Sequence, residues 1–128
     1  MKRERSAGQS LVEVAFVLPV LLILLLGIFD FGRAIYAYNA VSNAAREAAR
    51  VAIVDQNATV VVAEGKRAAL GLDPNAVNVT FPTPPCALIG CTATVTVDHT
   101  WQAITPLFPP IDFEATTEMP IERVYVSP

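Results

Sequence analysis

One histidine, two cysteines and six scattered glycines are all that 128 residues provide of the types on which much site chemistry rests. His99 by itself leaves no set of four ligands for a metal, and ungrouped glycines make no phosphate-cradling loop. Basic residues are scarce past the first few positions. From Gln9 onward, six Lys and Arg stand against eleven Asp and Glu, the reverse of what a nucleic-acid surface needs. No cofactor is implied. Charge as a whole is thin, at 16% of residues, and in one stretch it nearly vanishes.

That stretch, Leu11 to Phe29, carries Glu13 as its one charge. As a helix it spans about 28 Å, close to the hydrocarbon thickness of a bilayer. Lys2, Arg3 and Arg5 precede it against the lone Glu4, so the expected orientation is N-terminus cytoplasmic and C-terminus extracytoplasmic in the cytoplasmic membrane, with lipid around a single span. Glu13 is the anomaly. A carboxylate costs roughly 2 to 3 kcal/mol at the middle of a bilayer, and intramembrane ionisable residues usually have a function.

A basic flank before an apolar run also describes a secretory signal peptide, which needs small residues at a cleavage site after the run. GIFDFGRAIY, from Gly27, offers bulky and charged ones, so the segment is expected to be retained. Processing before the run is the other option. Gly8 is followed by Gln9, Ser10, Leu11, Val12 and Glu13, a spacing that resembles the type IV prepilin motif. The resemblance implies a membrane aspartyl peptidase that cuts after Gly8 and frees an α-amine on Gln9. That amine, with an ordinary pKa near 8, is largely protonated at neutral pH. Glu13, four residues on, shares its helix face and can meet the amine of its own chain or of a neighbour. Burying the two charges as a pair is tolerable where burying either alone is costly. The plainer alternative is an ordinary anchor with Glu13 snorkelling to the cytoplasmic headgroups.

Helical signals continue past the membrane. From Phe31 to Val54 the chain is rich in alanine and free of proline. Asn39, Asn43, Arg46 and Arg50 form a polar stripe, with Ala34, Ala37, Tyr38, Val41, Ala45, Ala48 and Ala52 opposite. One helix from Ser10 to Val54 would be about 67 Å long. Pro19 is expected to kink or loosen it rather than break it, and Gly27 is a weak point or a helix-packing site. Asp30 and Arg33 mark the outer interface.

Asp55 and Gln56 open a turn before a short second helix, Thr59 to Leu70, with Gly71 as its stop. The period then becomes two. Val77, Val79 and Phe81 make a first strand, Thr92 to Trp101 a second and Phe113 to Met119 a third, with Ile121 to Val126 as a fourth at the edge. Cys86 and Cys91 lie in the connection between the first two strands, and outside the cytoplasm a disulfide between them would be worth roughly 2 kcal/mol; two free thiols are the alternative. The expected fold is α+β with a small antiparallel sheet of three to four strands. Its division is a basic leader at 1–8, a transmembrane segment at 9–30, an extracytoplasmic continuation of the helix at 31–54, and a small α+β domain at 55–128.

Catalytic groupings are not apparent. Asp98 and His99 are adjacent on a strand and so point to opposite faces. Asp112, Glu114, Glu118 and Glu122 read as a solvated strand face before they read as a weak cation patch. Asn57 and Asn78 each open a glycosylation sequon. With GQSLVEVAFVLPVLLILLLGIFDFGRAIY, the continuation NAVSNAAREAARVA and, more loosely, VTVDHTWQAITPLF and ATTEMPIER, the chain resembles the TadE-like pseudopilins of the tight-adherence pilus system. The resemblance implies a prokaryotic, non-enzymatic, pilin-like protein of pilus assembly. It makes Gly8 the last leader residue, Gln9 the mature N-terminus and Glu13 the assembly charge, with a prepilin peptidase, other pilins or pseudopilins and the assembly machinery as partners. Gln9 departs from the phenylalanine common at that position in major pilins, which points away from a main-filament subunit. A permanently anchored extracytoplasmic binding module is the runner-up, and an extracytoplasmic enzyme a distant third.

Overall fold

The computed structural model of the chain describes residues 4–82, 88–106 and 108–128, with side chains from residue 8 onward. A single helix, α1 (Glu4–Ala52), takes up 49 residues, about 74 Å at the α-helical rise. It runs without interruption through Pro19. Its two halves are built for different surroundings. Between Leu11 and Phe29 the large apolar side chains are exposed all round, as in a helix meant for lipid. From Ala37 the helix becomes amphipathic. Ala37, Val41, Ala44, Ala45, Ala48, Ala49 and Ala52 are buried, while Asn39, Asn43, Arg46 and Arg50 face solvent. Tyr38, expected on the buried stripe, is instead half exposed; it projects beside the sheet, where its ring meets Phe113 edge to face at 6.0 Å.

Helix α2 (Ala58–Ala68) begins at Asn57, whose side-chain oxygen accepts from the Thr59 N–H and satisfies one of the donors a helix start leaves unpaired. It lies on α1 through a residue with no side chain. A Cβ built on Gly65 would stand 2.9 Å from Val79 Cγ1 and 3.3 Å from Ala48 Cβ, so glycine sets the spacing between α2, α1 and the sheet. Past the helix end the chain reverses at Gly71, with φ +77°, a conformation glycine adopts without the Cβ clash. Tyr36 of α1 reaches across to donate its hydroxyl to the Leu70 carbonyl at 2.9 Å.

Three strands, β1 (Val77–Thr80), β2 (Thr92–Trp101) and β3 (Ile111–Pro120), form an antiparallel sheet in the order β1-β2-β3. Val79 stands opposite Val97, and Val97 opposite Ala115. Alternation then directs Val77, Val79, Ala93, Val95, Val97 and Trp101 to the helices, where they are buried. The other face carries cross-strand polar pairs: Asn78 Nδ2 donates to Asp98 at 3.1 Å, Thr96 and Thr116 hydroxyls bond at 2.9 Å, and Thr100 donates to Asp112 at 2.7 Å. The architecture is α+β, two helices on one face of a three-stranded sheet. Cys91, just before β2, is disulfide-bonded; Cys86, its expected partner, lies outside the described residues.

The expected fourth strand from Ile121 to Val126 is not there. Proline at 120 ends β3 by removing a ladder donor, and the chain turns back toward the base of the helices. Ile121 is buried, donating its N–H to the Cys91 carbonyl. Glu122 and Arg123 both donate to the Ile53 carbonyl at 3.1 Å.

Candidate functional site

Gly8, Gln9 and Glu13 all lie on α1 with exposed side-chain positions. The helix is continuous there, so the four-residue offset from Gln9 to Glu13 puts both on one face, about 6 Å apart along the axis. A Cβ added at Gly8 or at Gly27 would meet nothing within 4 Å, which leaves both faces of the apolar segment open to a second helix or to lipid. The apolar span is long enough to cross a membrane and none of its hydropathic window is covered by the rest of the chain.

At the C-terminal end of that span, Asp30 is 1% exposed, although it directly follows a run of exposed apolar side chains. Its burial comes from a loop 74 residues away. The Ile104 N–H donates to Oδ1 and the Thr105 N–H to Oδ2, both at 2.9 Å, and the Thr105 hydroxyl donates to Oδ2 at 2.6 Å. Arg33, one turn on, adds a contact at 3.4 Å. A carboxylate with that many donors has its charge answered in place. The sequence marks Asp30 only as the charge that closes the apolar run; the chain carries no local sign of its partner.

A second cluster follows α1. Gln56 is buried, and its side-chain amide does the work of a strand partner. Nε2 donates to the Ala52 and Arg123 carbonyls at 2.9 Å each, and Oε1 accepts from the Tyr125 N–H at 2.7 Å. On either side, Asp55 accepts from the Asn57 and Ser127 N–H groups, and Asn57 Nδ2 donates to the Ser127 carbonyl at 2.8 Å. Hydrogen bonds from Asn57 first, and from Ser127, hold the Asp55 carboxyl below its ordinary value of 3.8 against an opposing effect of burial. What reads in sequence as a turn and a sequon is thus the anchor of the C-terminal segment, with the Asn57 amide already occupied.

The remaining candidates are not brought together. His99 faces the helix side and donates its Nδ1–H to the Ala76 carbonyl at 2.9 Å, in an open hollow of about 410 Å³ shared with Arg33, Tyr36 and Asp73. Asp98 is on the opposite face, bonded to Asn78. Asp112, Glu114 and Glu118 line that outer face of β3 and Glu122 lies beyond it, all exposed. Among the described residues, no group of three or more His, Cys, Asp or Glu is placed to hold a metal ion.

An exposed membrane-length helix thus continues, unbroken, into the core of a small α+β head. Residues 8–50 match the family described as TadE-like protein. The matched residues lie within α1 and cover most of it, about a third of the chain. No characterised protein and no solved structure matches the chain.

Proposed function

We propose that the protein is a pseudopilin-like structural component in the assembly of tight-adherence pili, held in the cytoplasmic membrane by residues 9–30 with its N-terminus inside and its head outside. The observation that carries this reading is the family match over α1, together with the Gly8-to-Glu13 spacing that lies inside it. A prepilin peptidase removes the basic leader after Gly8. The scissile bond belongs to a helix, whose carbonyls are engaged in i to i+4 bonds, so it must unwind locally to be cut. Glycine at position 8 lowers that cost by about 1 kcal/mol relative to alanine. The freed amine of Gln9 then pairs with Glu13, in the same chain or in the next, as the helix moves from lipid toward a helix-packed assembly with other pilins and the machinery.

N-terminal sequencing of protein from cells that contain the peptidase should read from Gln9. Gly8→Ala should leave the leader in place, and Glu13→Ala should cut pilus assembly. A mature chain that still starts at Met1 in such cells would rule out processing and favour the permanently anchored binding module.

A further inference from the structure

The loop between β2 and β3 is apolar where a solvated loop would be polar. From Trp101 to Ile111 no residue is charged, and Ile104 is 65% and Phe108 46% exposed. Three of its residues, Pro106, Pro109 and Pro110, lack an N–H, which reduces the number of donors that would go unanswered in a medium poor in water. The loop's height is fixed. Asp30 accepts two of its backbone N–H groups, and Asp30 directly follows the last residue of the apolar span, flanked by Phe29 and Phe31, both about two-thirds exposed. Between loop and helix lies an apolar cleft of about 130 Å³ lined by Asp30, Phe31, Ala34, Trp101, Phe108 and Ile111. Trp101 is buried there with an indole N–H that has no partner among the described residues.

We propose that residues 102–106 and 108–111 form a foot that rests in the outer headgroup region of the bilayer spanned by α1, with Ile104 and Phe108 in contact with lipid. The occupant of this surface is lipid because the patch is continuous with the exposed apolar face of α1 at the level where that face ends. An amphipathic element of this kind sinks about 5 to 10 Å into the headgroup and acyl boundary, and Trp beside it matches the aromatic belts of that zone. Asp30 acts as a positioning residue, keeping the foot at the interface. The proposal rests on the membrane-spanning reading of α1, and the experiment separates the two.

Full-length protein is placed in vesicles of phosphatidylethanolamine and phosphatidylglycerol that contain lipid brominated either near the headgroup end or near the terminus of the acyl chain. Trp101 is the one tryptophan of the chain and supplies a constant background. Ile104→Trp and Phe16→Trp each add a probe at an exposed position, so neither disturbs the core. Quenching in excess of the wild type should be greater from shallow than from deep bromines for Ile104→Trp, and the reverse for Phe16→Trp. If Phe16→Trp is quenched and Ile104→Trp is not, the foot is overturned while the span stands. If neither gains quenching, both fail. A blue-shifted but unquenched Ile104→Trp emission would mean that protein covers the patch, which also overturns lipid contact.

Discussion

Asp30 is the residue whose role is least visible in isolation. In sequence it reads as the polar end of an apolar run, yet its two carboxylate oxygens gather three hydrogen bonds from the loop before β3. Hydrogen bonds to a charged acceptor are worth about 1.5 to 3 kcal/mol each in single deletions, and they are not additive. Asp30→Ala should therefore destabilise the head by about 2 kcal/mol and free the loop; the check is the thermal unfolding midpoint of detergent-solubilised protein followed by Trp101 fluorescence. A midpoint equal to wild type would mean that the loop is held by its apolar contacts alone. Gln56 belongs to the same category of hidden residue. A buried amide that binds carbonyls 4 and 67 positions away has no period and no motif, so only the folded chain reveals it.

The elements themselves were largely legible because each is dictated by a strong local pattern. The alanine-and-polar stripes forecast the C-terminal half of α1, the alternation of Val77, Val79 and Phe81 forecast β1, and the Thr, Val and Trp content of Thr92 to Trp101 forecast β2. The bounds of α2 shifted by a residue or two, with Asn57 capping its start, whereas α1 begins at Glu4, six residues before the expected Ser10, and ends at Ala52 rather than Val54. The fourth strand failed for a specific reason. Ile121 to Val126 has strand-like composition, but Gln56 and the Ile53 carbonyl take its backbone groups, and composition cannot say which partner a backbone will find. Nor does sequence announce the close approach at Gly65. Gly65→Ala gains about 1 kcal/mol of helix propensity but forces a methyl against the stiff, buried Val79, an overpacking cost of about 1 to 3 kcal/mol. We expect a net loss of about 1 kcal/mol in chemical denaturation; a stabilised variant would show that α2 can slide off the sheet without penalty.

For the molecule as a whole, the beginning and the end of the head meet at the foot of α2. Asp55 joins them through the Ser127 N–H. Because its carboxyl is held below the ordinary value of 3.8 in the folded chain, its contribution to stability is complete above that value and is lost as pH falls through the lower folded one. Acid titration between about pH 5 and pH 2 should thus release the C-terminal segment, as measured by amide hydrogen exchange of residues 121–128. Asp55→Asn should flatten that dependence; an unchanged profile would assign the acid sensitivity to other carboxyls.

The head is fastened to α1 at Asp30 and again at Ile53, the residue just past the helix end, two points about 34 Å apart at 1.5 Å per residue. A body held at one point can swing, whereas one held at two such points turns only as its axle turns. Rotation or tilt of the apolar span would therefore reach the sheet as torque, without a hinge to absorb it, and the bearing of the head would follow directly from how the span is gripped.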